Sequence, residues 1–247
     1  MPFCKILLLL VMIGALAGCQ KEDSFASDEA VLQLQLTHEV NGQPLQLSAA
    51  YTNSFGEDYT VSAFKYYLSN MALLQGATTK ALPPTYHLVN EAADSSKTIA
   101  IKIPRGTYTG MHILVGVDSA RNVSGAQSGA LDPLLDMFWT WNTGYIMAKL
   151  EGSSSLSTAP NNRIQYHIGG FSGPYNSLRT LQINFQNALT VNDTIKVALT
   201  ADVARWFDGV HDLPIAQSAV SMTPGPLAAQ YADNYASMFS ITSVLVK

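Results

Sequence analysis

Short segments in which apolar and polar residues alternate recur along the chain and predict a protein built of β-strands. Residues 31–40 are the clearest case, because leucines at every second position share one face with His38 while polar side chains fill the other face. Asn41-Gly42, directly after this segment, predicts a hairpin turn. Further strand-like runs cover residues 62–74, 99–103, 108–117, 181–185 and 195–199.

These runs together predict an all-β fold, an antiparallel Greek-key β-sandwich. The turn residues Pro104-Arg105-Gly106 lie between two apolar arms and predict a hairpin over residues 99–117. Helical patterns are short and confined to residues 202–207 and 226–239, so we expect helical turns only near the C-terminus.

The N-terminal segment is typical of an export signal. Lys5 precedes the apolar run 6–16, which is too short to span a bilayer as a permanent helix. The run ends in Leu16-Ala17-Gly18-Cys19, which resembles a bacterial lipobox. We therefore expect residues 1–18 to be a lipoprotein signal peptide and Cys19 to carry lipid.

Lipidation of Cys19 predicts a membrane-anchored protein of the cell envelope, an outer-membrane lipoprotein. Residues 19–30 would form the lipidated tether and residues 31–247 the folded domain. The charged residues in the stretch 20–24 suit either a plain polar tether or a signal for export to the cell surface, and both interpretations stand.

Charge and cysteine content narrow the classes of function. The chain has 14 basic and 18 acidic residues, so it offers no basic surface for nucleic acid. Cys4 leaves with the signal and Cys19 is acylated, which leaves no thiol for a metal site, a disulfide or catalysis. The sequence has no HExxH motif, and Gly170-Phe171-Ser172-Gly173 is an incomplete nucleophile elbow, so we expect no enzymatic activity.

Histidines are then the natural ligands for a soft metal. His38 lies on the apolar face of its strand, where a buried imidazole requires a hydrogen-bond acceptor or a metal ion. His167 lies in Tyr166-His167-Ile168-Gly169, and His87 lies in Tyr86-His87-Leu88-Val89. For each histidine, a structural role and a metal-binding role remain open at this point.

The stretch 132–152, DPLLDMFWTWNTGYIMAKLEG, carries two of the three tryptophans. Trp139 and Trp141 are two residues apart, so an extended strand would place both indoles on one face. Large aromatic side chains are costly to expose, so this face is expected to be either core or a built site.

The order of several motifs resembles the MbnP-like copper-binding protein family. The motifs are Phe64–Leu73 (FKYYLSNMAL), Met137–Trp141 (MFWTW), Gly144-Tyr145 and Tyr166–Gly169 (YHIG). The resemblance implies a β-sandwich that binds one copper ion through histidines, with His38, His167 and His87 as the candidates and Trp139 and Trp141 beside them. In some members of this family a tryptophan is oxidised to kynurenine by a di-haem partner of the cytochrome c peroxidase type.

Two hypotheses of different classes follow. The first is a lipid-anchored, non-catalytic envelope protein that binds a single copper ion for its acquisition or handling. The second is a surface-exposed β-sandwich that binds a glycan or a partner protein through aromatic platforms, Trp139 with Trp141 or Tyr66 with Tyr145. Burial distinguishes them, because a platform must be exposed, whereas indoles beside converging histidines favour a metal. A third outcome, the family fold without a working metal site, also stays open.

Overall fold

The computed structural model of the protein describes residues 28–140 and 144–247. The predicted signal peptide, Cys19 and nearly all of the predicted tether lie outside the described residues, as does Trp141. Among the described residues, no helix is both long enough and apolar enough to cross a membrane.

The described residues form many strands and few helices. The strands are β1 (Glu29–Val40), β2 (Gln43–Pro44), β3 (Ala50–Thr52), β4 (Asp58–Gln75), β5 (Thr78–Ala81), β6 (Tyr86–Asn90), β7 (Thr98–Pro104), β8 (Gly106–Val115), β9 (Phe138–Thr140), β10 (Gly144–Ser153), β11 (Arg163–Gly169), β12 (Arg179–Val191), β13 (Thr194–Asp202), β14 (Val220–Ser221) and β15 (Phe239–Val246). The α-helices are α1 (Ser119–Asn122), α2 (Arg205–Asp208) and α3 (Pro226–Ser237). The two later helices confirm the prediction of helical turns near the C-terminus.

The first sheet is built around β1. This strand pairs in parallel with β13 on one edge, and in antiparallel fashion with β7 and β2. β15 lies beyond β13. The sheet is therefore mixed, which differs from the antiparallel arrangement that the sequence predicts. The turn between β1 and β2 is as predicted, because Asn41 and Gly42 both have positive φ, as a type I′ turn requires.

The second sheet is organised along the 18-residue strand β4. Lys65 and Tyr66 pair with both β10 and β6, so these two strands lie on opposite edges of β4. Leu68 and Ser69 pair with both β6 and β8, which places β8 on the same edge as β10. β8 and β10 therefore lie end to end, and the chain from residue 116 to residue 140 departs from the line that they form.

The interior between the two sheets holds the main hydrophobic core. Trp206 on α2 is fully buried there, with aromatic rings of Tyr166, Tyr231 and Tyr235 around it. The deeply buried indole is thus Trp206, whereas Trp139 is only partly buried and packs against a second, smaller cluster. Two packed sheets with few helices confirm the predicted all-β sandwich.

The predicted hairpin over residues 99–117 is wrong. β7 pairs with β1 in the first sheet, whereas β8 pairs with β4 and β12 in the second. The turn at Pro104-Arg105-Gly106 therefore carries the chain from one sheet to the other. Apolar alternation predicts each arm correctly but contains no information on which strand pairs with which.

Candidate metal centre and aromatic segment

His38 lies inside the sandwich with both ring nitrogens engaged. Its Nδ1 is 2.5 Å from Oε2 of Glu91, and its Nε2 is 2.9 Å from the hydroxyl oxygen of Tyr66. When Nδ1–H donates to the carboxylate, Nε2 accepts the proton of the Tyr66 hydroxyl. The ring of Phe64 meets the imidazole edge to face at 4.9 Å. His38 is therefore a fully satisfied core histidine.

Glu91 connects this buried imidazole to the surface. The same carboxylate oxygen lies 2.8 Å from Nζ of Lys97. Burial tends to raise the pKa of Glu91, but the hydrogen bonds from His38 and Lys97 prevail and hold that pKa below its ordinary value. Burial also raises the pKa of Tyr66 well above its ordinary value, so this phenol stays neutral and can donate to His38.

His167 lies on the opposite face of the second sheet from His38. His167 on β11 pairs with Lys149 on the neighbouring strand β10, and Lys149 pairs in turn with Lys65 on β4. Tyr66, the next residue along β4, contacts His38 in the interior. Because successive residues of a strand point to opposite faces, the row that contains His167 faces outward. The two histidines therefore do not converge.

A compact group of charges surrounds His167. Its Nε2 is 2.5 Å from Oε1 of Glu151. Lys149, only 1% exposed, places Nζ 2.6 Å from Oδ2 of Asp136 and 3.8 Å from Glu151. Burial lowers the pKa of His167, and the neighbouring charge of Lys149 adds to this effect, although Glu151 opposes it. The net result favours a neutral imidazole, the form that binds metal.

The Glu151–His167 pair has the arrangement of an oriented metal ligand. Metal-binding histidines commonly donate one ring N–H to a carboxylate, which fixes the tautomer and leaves the other nitrogen to coordinate. Here Glu151 engages Nε2, so Nδ1 is the nitrogen of His167 on which a metal ion can bind.

Trp139 lies on the same outer face as His167. A Cβ added to Gly169 would stand 2.6 Å from Cζ3 of Trp139, so the indole rests directly on the backbone of β11. Gly169 is two residues beyond His167, and positions two apart share a face. The neighbouring Phe138 packs on Tyr145 with ring centroids 4.8 Å apart. The segment thus brings an indole to the face that carries His167.

His87 occupies a third environment. It pairs with Leu68 on the edge of β4, and its Nε2 is buried with no hydrogen-bond partner among the described residues. Burial lowers the pKa of His87, which favours its neutral form. In the described part of the chain, no group of three or more His, Cys, Asp or Glu side chains is placed to hold a metal ion. The three predicted histidines thus stand apart.

The predicted aromatic platform of Tyr66 with Tyr145 is wrong. Both side chains are fully buried, Tyr66 in the main core and Tyr145 in the smaller cluster. The Tyr145 hydroxyl donates to the carbonyl of Leu131, and a ring held in this way offers no surface to a ligand.

Sequence reasoning missed the carboxylates that hold the two buried histidines. The sequence around Glu151 could have indicated its role, because Glu151 and Lys149 are charged residues two apart on a mostly apolar strand. The sequence around Glu91 could not, because 53 residues separate Glu91 from His38 and only the packing of the two sheets brings them together.

Fold and site together define a class: a two-sheet β-sandwich with a carboxylate-bound histidine and an indole on one outer face. The MbnP family model matches residues 29–224, and the chain belongs to the MbnP family. The structure of MbnP from Methylosinus trichosporium resembles this fold with a TM-score of 0.57 at 12% sequence identity, covering 86% of this chain and 98% of that one. No curated protein matches the sequence.

Proposed function

We propose that the protein is a lipid-anchored, non-catalytic envelope protein that binds copper, for acquisition or handling of the metal, through a centre at His167. The observation that carries the proposal is the geometry of His167, which Glu151 orients on the same face as Trp139. Membership of the MbnP family supports copper as the metal, since copper handling is associated with that family.

The donor chemistry at His167 suits copper. Imidazole nitrogen binds copper in both oxidation states, and the neutral ring favoured here is the form that coordinates. His38 is assigned a structural role instead, because Glu91 and Tyr66 use both of its nitrogens. The predicted pair of His38 and His167 on one copper ion is therefore not part of this proposal.

Conversion of an indole to kynurenine belongs to the same proposal. Trp139 and Trp141 are the candidates, and Trp139 packs on Gly169, two residues from His167 on the same strand. Two equivalents of hydrogen peroxide, activated by a di-haem partner of the cytochrome c peroxidase type, would add two oxygen atoms as the C2–C3 bond of the indole breaks and would leave as water. Hydrolysis of the resulting formyl group would then release the C2 carbon as formate. Mass spectrometry of tryptophan-containing peptides tests this step. The peptides come from protein purified from its native envelope.

Copper content of single-histidine variants tests the centre. We expect the mature protein to retain copper after dialysis and His167→Ala to lose it, because the oriented imidazole is removed. Inductively coupled plasma mass spectrometry gives the copper content per chain. His112→Ala, which changes a histidine on β8 away from Glu151, is the matched control and should keep its copper.

Two results would contradict the proposal. One is a mature protein that retains no copper. The other is a folded His167→Ala variant that retains as much copper as the wild type, and circular dichroism establishes that it is folded.

A further inference from the structure

A groove separates β5 and β6 from the segment 118–131. It consists of two adjoining hollows of about 530 and 650 Å³. The two hollows share Tyr86 and Arg121 in their walls, and His87 lines the second. Since His167 does not line this groove, a ligand bound here would be independent of the proposed copper centre.

The shared wall is held in place by a hydrogen-bonded network. The carboxylate of Asp118 accepts hydrogen bonds from the Tyr86 hydroxyl and, at 2.8 Å, from Nδ2 of Asn70. Asn70 has a φ of +45° at the point where the register between β4 and β8 shifts. Such irregularities commonly re-aim a side chain beside a functional site. The groove is thus preformed.

Arg121 presents a positively charged side chain to both hollows, and Asp118, whose carboxylate is held by Tyr86 and Asn70, lines the first hollow beside it. The guanidinium carbon of Arg121 lies 5.6 Å from the centroid of the Tyr86 ring, and Nη1 donates to Gln127 at 3.3 Å. Arg121 forms no salt bridge with any side chain in the described ranges. A stacked guanidinium retains donors for a carboxylate, whose geometry it matches.

Three buried polar atoms around the groove have no partner in the described part of the chain. They are Oδ1 of Asn70, Oγ1 of Thr85 and Nε2 of His87, among eight such atoms in the same part of the chain. Buried polar side-chain atoms nearly always find a hydrogen-bond partner. Their concentration here leaves hydrogen-bonding capacity beside the groove that a ligand can use.

The two hollows differ in character. Met71, Ala81 and Leu82 line only the first hollow and make its wall largely apolar. Gln127 and Ser128 line only the second hollow and contribute polar side chains to it. A ligand that spans both therefore needs an apolar part at one end and hydrogen-bonding groups at the other, with Arg121 between them.

We infer that this groove binds a small organic carboxylate with an apolar side group and an amide-like hydrogen-bonding group, as found in an acylated amino acid or at the C-terminus of a peptide. The carboxylate pairs with Arg121, and the apolar group enters the hollow beside Met71 and Leu82. The amide group hydrogen-bonds to Gln127 and Ser128 in the second hollow, and to the Thr85 hydroxyl once the side chains that cover it move aside.

Titration with N-acetyl-L-leucine tests this site on the full mature chain. We expect saturable binding, followed by calorimetry and by shifts in the amide NMR signals of residues around the groove. N-acetyl-L-leucinamide has the same shape without the charge and should bind at least tenfold more weakly. A short peptide that ends in leucine, with a free or an amidated C-terminus, distinguishes a peptide terminus from a free small molecule.

Variants separate binding from folding. Arg121→Gln should weaken binding of N-acetyl-L-leucine at least tenfold, whereas Arg163→Gln, an equal loss of charge at an exposed position, should leave it unchanged. Thr85→Val removes an unpaired hydroxyl, so it should weaken binding without lowering stability. The inference is overturned when no probe binds saturably, when acid and amide bind equally, or when Arg121→Gln and Arg163→Gln have the same effect.

Discussion

Gly169 allows the ring of Trp139 to lie against the backbone of β11. A Cβ at this position would meet Cζ3 of Trp139 at 2.6 Å and the carbonyl oxygen of Tyr145 at 3.0 Å. Gly169→Ala should therefore lower the free energy of unfolding by roughly 1–3 kcal/mol, the usual cost of overpacking. Urea unfolding followed by tryptophan fluorescence measures both the loss of stability and the displacement of the indole.

Gly225 provides the control for this substitution. A Cβ there would meet nothing within 4 Å, and its φ of 165° is extended backbone that any residue adopts. Gly225→Ala should leave stability nearly unchanged. Equal stabilities of the two variants would show that Trp139 does not rest on Gly169.

Single positions were predictable where a strand pattern fixes a face. Alternation in β1 places His38 among buried leucines and requires a partner for it, and the structure supplies Glu91 and Tyr66. Trp139 lies in the strand β9, but the prediction that Trp139 and Trp141 share one face stays a prediction, because Trp141 lies outside the described residues. The identity of each partner was not predictable, because it depends on which strands become neighbours.

At the scale of elements, the segment 116–140 departs from the line of β8 and β10, and Asn122 ties it to β10. This side chain is fully buried, its Nδ2 donates to the carbonyls of Val117 and Asp118, and its Oδ1 accepts from the amide of Tyr145 at 2.7 Å. The contact joins the start of the segment to the first residues of β10.

Asn122→Ala should destabilise the protein by about 2 kcal/mol or more, because it leaves several buried backbone groups without partners. Hydrogen exchange at the amide of Tyr145 should accelerate in the same variant. Urea unfolding and NMR-detected exchange measure the two effects. Asn187→Ala, at an exposed position, serves as control, and protection of Tyr145 unchanged from the wild type would contradict this role of Asn122.

The sequence predicts where strands and helices lie along the chain better than it predicts which strands pair with each other. The pattern located β1, β7 and β8 to within two residues and the two C-terminal helices to within three, whereas for β4, β12 and β13 it marked only part of a longer strand. It failed for the arms 99–103 and 108–117, because a hairpin and a crossing between sheets both need a turn flanked by apolar strands. The parallel pairing of β1 with β13 spans more than 150 residues and leaves no local trace.

At the scale of the whole molecule, His38 and Glu91 join the two sheets, since β1 belongs to one sheet while Tyr66 and the end of β6 belong to the other. The pKa of Glu91 lies below its ordinary value of 4.5. A lowered carboxyl pKa contributes stability that is present above the ordinary value and is lost as the pH falls through the lowered one.

Glu91→Gln should therefore lower the free energy of unfolding at about pH 7, and its difference from the wild type should narrow as the pH falls below about 4.5. Urea unfolding at about pH 7 and about pH 3 measures this. Asp94→Asn is the control, since that side chain is 98% exposed and also faces Lys97. A constant difference between Glu91→Gln and the wild type across this range would refute the assignment.

The overall architecture followed from the sequence, because many short strands with little helical pattern leave few alternatives to a sandwich. The candidate site could be predicted only in part. The residue types indicated histidine ligands, but His38 and His167 lie on opposite faces of the second sheet. Their placement depends on the pairing of β4 with β10 and of β10 with β11, which the sequence does not reveal.

The position of β1 also bears on how the molecule withstands force. The chain enters the domain at Glu29, the first residue of β1, and this strand is held between β13 and β7. Tension from a membrane-anchored N-terminus would pull β1 along its own axis, across the hydrogen bonds to both neighbours. Those bonds then bear the load together in shear, instead of opening one by one as in a peeled hairpin. If the proposed lipid anchor holds the N-terminus, β1 is placed to act as a mechanical clamp that transmits this load to the core.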